Sequence, residues 1–121
     1  MALIREHRLA NGLLIAIFDE TNRYFGDYHR VFLRVVLHYD LTPADRNDPF
    51  WSEARDRLGP ELRLEKTLER MGVADSEVEG TVAALVDNFL ATADEYLTRP
   101  DYPRQLVIRE MEKRRKTTRI Y

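Results

Sequence analysis

The stretch YHRVFLRVVLHY, residues 28–39, decides the fold. Val31, Leu33, Val35, Leu37 and Tyr39 alternate with Arg30, Phe32, Arg34, Val36 and His38. A period of two with β-branched residues predicts a strand over roughly Tyr28 to Tyr39, because successive side chains of a strand point to opposite faces. The Val31–Leu37 face is uniformly apolar and must be core. The other face mixes Phe32 and Val36 with Arg30, Arg34 and His38, and a fully solvated sheet face should be polar.

Upstream, Asn11-Gly12 lies between two runs of strand character. The dipeptide accepts positive φ at both positions and predicts a two-residue type I′ hairpin. That turn sets Arg8 opposite Ile15, Glu6 opposite Ile17 and Leu9 opposite Leu14. The first strand is mostly polar, as suits a sheet edge. The second, Leu13 to Phe18, is apolar on both faces, as suits a central strand. Leu13, Ile15 and Ile17 are expected to join the Val31–Leu37 face. Leu14, Ala16 and Phe18 join Phe32 and Val36 on the second face. That face is scattered surface, lies under a later segment, or meets another copy of the chain; the expectation carried forward is a dimer through Leu14, Phe18, Phe32 and Val36. Asp19 to Gly26 is polar and reads as a connection.

Downstream, Thr42-Pro43 through Asp48-Pro49 reads as a loop. Phe50 to Leu58 is a short helix with Phe50, Trp51, Ala54 and Leu58 on one stripe and Gly59-Pro60 as the stop. Trp51, the single tryptophan, is expected to cover the core. Glu61 to Met71 fits two templates. As a strand it alternates Leu62, Leu64 and Leu68 with polar residues, and Lys66 interrupts the apolar face. As a helix, Leu64, Leu68 and Met71 recur at i, i+4 and i+7, with Gly72 as the stop. The last third is helical. Ser76 followed by Glu79 predicts a capping box. Val78, Val82, Leu85, Val86, Phe89, Leu90, Ala93 and Leu97 make one stripe of period 3.6. Arg99-Pro100 ends that helix. Asp101 and Pro103 open a second, with Leu106, Val107, Ile108 and Met111 as its apolar patch.

A length of 121 residues suits one domain spanning 1–121. The longest apolar run, Leu13 to Phe18, is far short of the ~20 residues of a membrane span. Cysteine is absent, which excludes disulfides, thiolate nucleophiles and Cys-based metal sites. The first residues, MALIREHRLA, lack an apolar signal core, so the expected location is cytoplasmic. Net charge is −2, but it is unevenly spread. Residues 1–40 balance to zero, 41–103 carry −7 and 104–121 carry +5. The basic end, 112–121, is expected to project or fray. Its Lys113, Arg114, Arg115, Lys116 and Arg119 complement a helix C-terminus. They also form the alternative anion-binding set, for weak, salt-sensitive contact with nucleic acid or an anionic surface.

Catalytic signals are sparse. There is no phosphate-cradling glycine cluster, no nucleophile elbow and no His-Glu-x-x-His. Asp27 and His29 would share a face if both lay on a strand, with the carboxylate orienting the imidazole. Without a nucleophile or a pocket that pair is not a mechanism, and no catalytic residue is assigned. His7, His29 and His38 lack ligand spacing, so no metal and no cofactor is expected. Tyr24, Phe25, Tyr28 and Tyr39 are read as a seal over one end of the core, because the acids around them leave no positive groove for bases to stack in.

Asn11-Gly12-Leu13, NRYFGDYH (22–29), LERMGV (68–73) and the late run Phe89-Leu90, Tyr96-Leu97 and Pro100-Asp101-Tyr102-Pro103 resemble a set of small bacterial proteins with no established activity. The resemblance implies strands first, two helices last, and a strand just before Leu68-Glu69-Arg70. It transfers no functional residue. The expectation is therefore an α+β fold, an antiparallel sheet of three or four strands covered by a long helix and a C-terminal helix. The expected function is a small non-catalytic interaction module that self-associates and meets a protein partner. No membrane contact is expected, and nucleic acid is the runner-up partner.

Overall fold

The computed structural model describes residues 2–42 and 48–119, with side chains described except at Tyr24 and 114–119. The strands are β1 (Ala2–Arg8), β2 (Leu14–Asp19), β3 (Asn22–Phe25), β4 (Tyr28–Asp40) and β5 (Glu61–Ala74). The helices are α1 (Pro49–Leu58), α2 (Val78–Asp94) and α3 (Tyr102–Arg119), and a 3₁₀ turn, Asp75–Glu77, leads into α2. All strand pairs are antiparallel, and the fold is α+β.

The long strand is where its periodicity put it, and it organises the rest. One side of β4 pairs with β2 and then β3, which keep a single register, Asp19 opposite Leu33 and Asn22 opposite Arg30. The Glu20 amide bridges the two by donating to Phe32 O at 2.8 Å. The stretch read as a connection is thus largely a continuation of β2, its polar side chains belonging to the rim. The other side of β4 pairs with β5 over nearly its whole length, Tyr28 opposite Ala74 and Asp40 opposite Glu61. Strand β1 forms one edge, exposed throughout.

The ambiguous Glu61–Met71 segment is strand. A helix there would have left one side of β4 without hydrogen-bond partners, which is costly for so apolar a strand. Gly72 ends no helix. With φ +66° it sits where Met71 and Gly72 together oppose Arg30, an inserted residue in the ladder. The insertion resets the alternation, so Val73 returns to the core face and is buried.

The hairpin at Asn11-Gly12 differs from expectation by one register step. Arg8 faces Leu14 and His7 faces Ile15. Only Gly12 has positive φ, +96°. Gly12 N donates to Leu9 O at 3.0 Å and Leu9 N to Leu13 O at 2.8 Å, so the loop holds three residues, Ala10 to Gly12. The reason is the Asn11 side chain. Its Oδ1 accepts from Leu13 N at 3.1 Å, and its Nδ2 donates to Leu97 O at 2.6 Å and Arg99 O at 2.9 Å. Asn11 serves as a clamp onto the chain after α2, not as a left-handed turn residue.

One sheet face meets the helices. Leu13, Ile15, Ile17, Val31, Leu33 and Val35 are 0–2% exposed and pack with Leu85, Val86, Ala93, Leu97, Leu106 and Val107. The expected stripe is the one α2 buries as far as Ala93; the helix stops at Asp94, earlier than expected, and Leu97 is buried from the turn that follows. Helix α1 closes the far end. Asp48 Oδ1 accepts from Trp51 N at 3.1 Å as its N-cap, and Trp51 stands 6.0 Å from the Tyr39 ring. The capping box at Ser76 and Glu79 does not form. The 3₁₀ turn takes its place, and Val78 N donates to Asp75 O. Most of the loop expected over 42–49 lies outside the described residues.

Candidate functional site

Strand alternation assigns the second sheet face. Its rows run across the strands in register: Arg8, Leu14, His38 and Arg63; Glu6, Ala16, Val36 and Glu65; Leu3, Phe18, Arg34 and Thr67. Phe32 and Glu69 form a further row. The four residues expected at a partner surface, Leu14, Phe18, Phe32 and Val36, therefore stand together at the centre. All three helices contribute to the core on the other face. Among the described residues no helix packs over this one.

The apolar centre is ringed by charges that neutralise one another. Arg34 sets Nε 2.8 Å from Glu20 Oε2 and Nη2 3.1 Å from Oε1. Arg30 Nε lies 2.9 Å from Glu69 Oε1 and its guanidinium covers the Phe32 ring at 4.3 Å. His38 Nε2 meets Glu61, and Arg63 pairs with Glu65 at 3.3 Å. Their stems leave Val36 only 6% exposed, and Leu14, Phe18 and Phe32 half-buried. Leu3 at 51% and Tyr28 at 51% extend the apolar surface on the same face.

The Asp27 and His29 side chains are not brought together as a pair. His29 Nε2 lies 2.9 Å from Asp75 Oδ1, and Asp27 contributes its backbone carbonyl to the Asp75 amide at 2.9 Å. This contact fastens the end of β5 to the β3–β4 turn. His7 lies on the edge strand and His38 against Glu61, so the three histidines sit apart. Among the described residues no group of three histidine or carboxylate side chains could hold a metal ion.

The aromatic seal is corrected. Tyr39 lies at the opposite end of β4, buried against Trp51. Phe25 is 75% exposed and Tyr28 51%, and neither seals anything. Both lie on the β3–β4 hairpin, Tyr28 on the second sheet face. Of the basic set, Lys113 pairs with Glu110 at 3.3 Å. The side chains of Arg114, Arg115, Lys116 and Arg119 lie outside the described ones. No helix among the described residues is long and apolar enough to cross a membrane.

Sequence reasoning noticed Lys66 only as a break in an apolar row. It faces the helices, opposite Val35 in the ladder, with its ammonium 5.7 Å from the Phe89 ring. Nearby, the Tyr102 phenol is pushed above its ordinary pKa by burial and then by Tyr96, while the Arg109 guanidinium pulls it down. No local pattern announces this grouping, since Lys66 comes from β5 and the others from α2, α3 and the chain between them, the nearest of them twenty-three residues further on. No protein-family model, curated protein or solved structure matches the chain.

Proposed function

We propose that this chain is a small non-catalytic interaction module that self-associates, two copies packing their second sheet faces together about a two-fold axis. The observation that carries the reading is the apolar centre Leu14, Phe18, Phe32 and Val36 inside a ring of internally paired charges. A face meant for water has no need to neutralise its arginines. A face that loses its water does, because an unpaired buried charge is expensive. Four paired strands about 4.8 Å apart and up to 14 residues long present on the order of 600 Å², near the ~800 Å² per partner of a standard interface. The neutral balance favours an identical partner over a polyanion. Cytoplasmic location and kinship with the small bacterial proteins it resembles belong to the same proposal.

Sedimentation equilibrium of the 14.3 kDa chain at micromolar concentration tests this. Twice the chain mass is expected, and Phe32→Glu should give a folded monomer. A wild-type monomer at about 1 mM, where even an affinity near −4 kcal/mol would show, overturns the proposal.

A further inference from the structure

A crevice of about 250 Å³ opens on the helical side of the sheet, between the edge strand β5 and helices α2 and α3. Its apolar wall is Leu37, Leu64, Phe89 and Leu106, and Tyr96 and Tyr102 close one side with their rings edge to face at 5.4 Å. Three cations line it, Lys66 from β5 and Arg109 and Lys113 from α3, all solvent-exposed at its mouth. The carboxylates beside it are engaged. Glu110 is held by Lys113 at 3.3 Å, and Glu65 belongs to the other sheet face, where Arg63 holds it at 3.3 Å. Among the described residues neither Lys66 nor Arg109 has a carboxylate within ion-pairing distance. Lys66 instead rests over Phe89, and Arg109 lines the crevice together with Tyr102.

We propose that this crevice binds a small amphipathic carboxylate, with its apolar body on Phe89 and Leu106 and its carboxylate between Lys66 and Arg109. The chemistry selects that class in three steps. Lys66 interrupts the leucine row of the edge strand β5 and is exposed, so its ammonium is open to a guest in the crevice. A guanidinium offers the planar fork that a carboxylate accepts in two hydrogen bonds. The volume lies below the ~300–1,000 Å³ of pockets for drug-sized ligands, so the guest is a short-chain or single-ring acid. The site is independent of self-association, because it opens on the face opposite Phe32.

The test is a two-dimensional amide NMR titration of the full chain with 4-phenylbutyrate at constant ionic strength. The neutral 4-phenyl-1-butanol and inorganic phosphate are the comparison arms. Saturable shifts at Lys66, Phe89, Leu106 and Arg109 are expected for the acid alone. Lys66→Gln and Arg109→Gln should each weaken it by roughly tenfold, the scale of one charge-assisted hydrogen bond. Amide dispersion in the same spectra reports that each variant is folded, and Phe32→Glu should bind as wild type does. Three results would overturn the proposal: no saturation by ~10 mM acid, a weaker limit than ~−3 kcal/mol; equal binding of the alcohol or of phosphate; or unchanged affinity in both charge variants. The last would leave Lys66 as a guard against strand addition at the β5 edge.

Discussion

Strand β4 has two faces built from alternate residues of one sequence, and they have been put to opposite uses. Val31, Leu33 and Val35 are fully buried in the apolar core and bind the sheet to its helices. Phe32, Arg34 and Val36 alternate with them in the chain, yet they hold an apolar centre inside a fence of ion pairs. Stability is concentrated on the first face. On the second, each charge is answered by a neighbour, and exposed pairs of that kind contribute little to folding, ~0–1 kcal/mol. The contrast teaches that the helical layer is what the fold requires. The arrangement of the second face answers a different demand, which we take to be a second copy.

Neighbouring substitutions should break this contrast most sharply. Leu33→Asp places a carboxylate in the fully buried row and should unfold the protein, at several kcal/mol against a total of ~5–15. Phe32→Glu, one residue away, should shift stability by no more than ~1–2 kcal/mol. Thermal melts of the two variants decide it. Similar melts would show that the faces are assigned the wrong way round.

The clamp between sheet and helices comes next in size. Asn11→Ala removes both hydrogen bonds to Leu97 O and Arg99 O and the one from Leu13 N. A loss of ~1–3 kcal/mol is expected in urea unfolding. Faster amide exchange should appear at the hairpin and at the α2–α3 connection, while β5 keeps its protection.

The smallest effect concerns how β5 keeps its faces straight. Gly72→Ala meets no steric obstacle, since no atom lies within 4 Å of the added Cβ, but φ is +66°. The left-handed backbone should cost ~1–2 kcal/mol. Gly80, inside α2 with the same open space, should gain up to ~1 kcal/mol on becoming alanine. Opposite signs in denaturant midpoints sharpen the reading of the inserted residue. Equal signs would remove it.

Period-two alternation over 28–39 and period-3.6 spacing over 78–97 were readable from the chain because each pattern is long and one-sided. The two-residue turn was misread at Asn11 because its partners, Leu97 and Arg99, are more than eighty residues away. Propensity sees the tolerance of asparagine for a turn and not the carbonyls it will meet. Glu61–Met71 is ambiguous for a similar reason. Its leucines satisfy both periods, and only the unpaired side of β4 resolves them. The candidate surface at Leu14, Phe18, Phe32 and Val36 was visible as apolar residues on a face that should be polar. The fence of Glu20, Glu69 and Glu61 was not, since two of these carboxylates arrive from β5. His29 shows the same limit, paired with Asp75 and not with its near neighbour Asp27.

The most direct measurement of the central claim is an isotope-filtered nuclear Overhauser experiment on a mixture of labelled and unlabelled chain. It reads only contacts between copies. Cross-peaks from the Phe18 and Phe32 rings of one copy to the Leu14 and Val36 methyls of another are predicted, lost in Phe32→Glu. Intermolecular contacts confined to α2 or α3, or none at a concentration where sedimentation shows a dimer to form, would contradict the account.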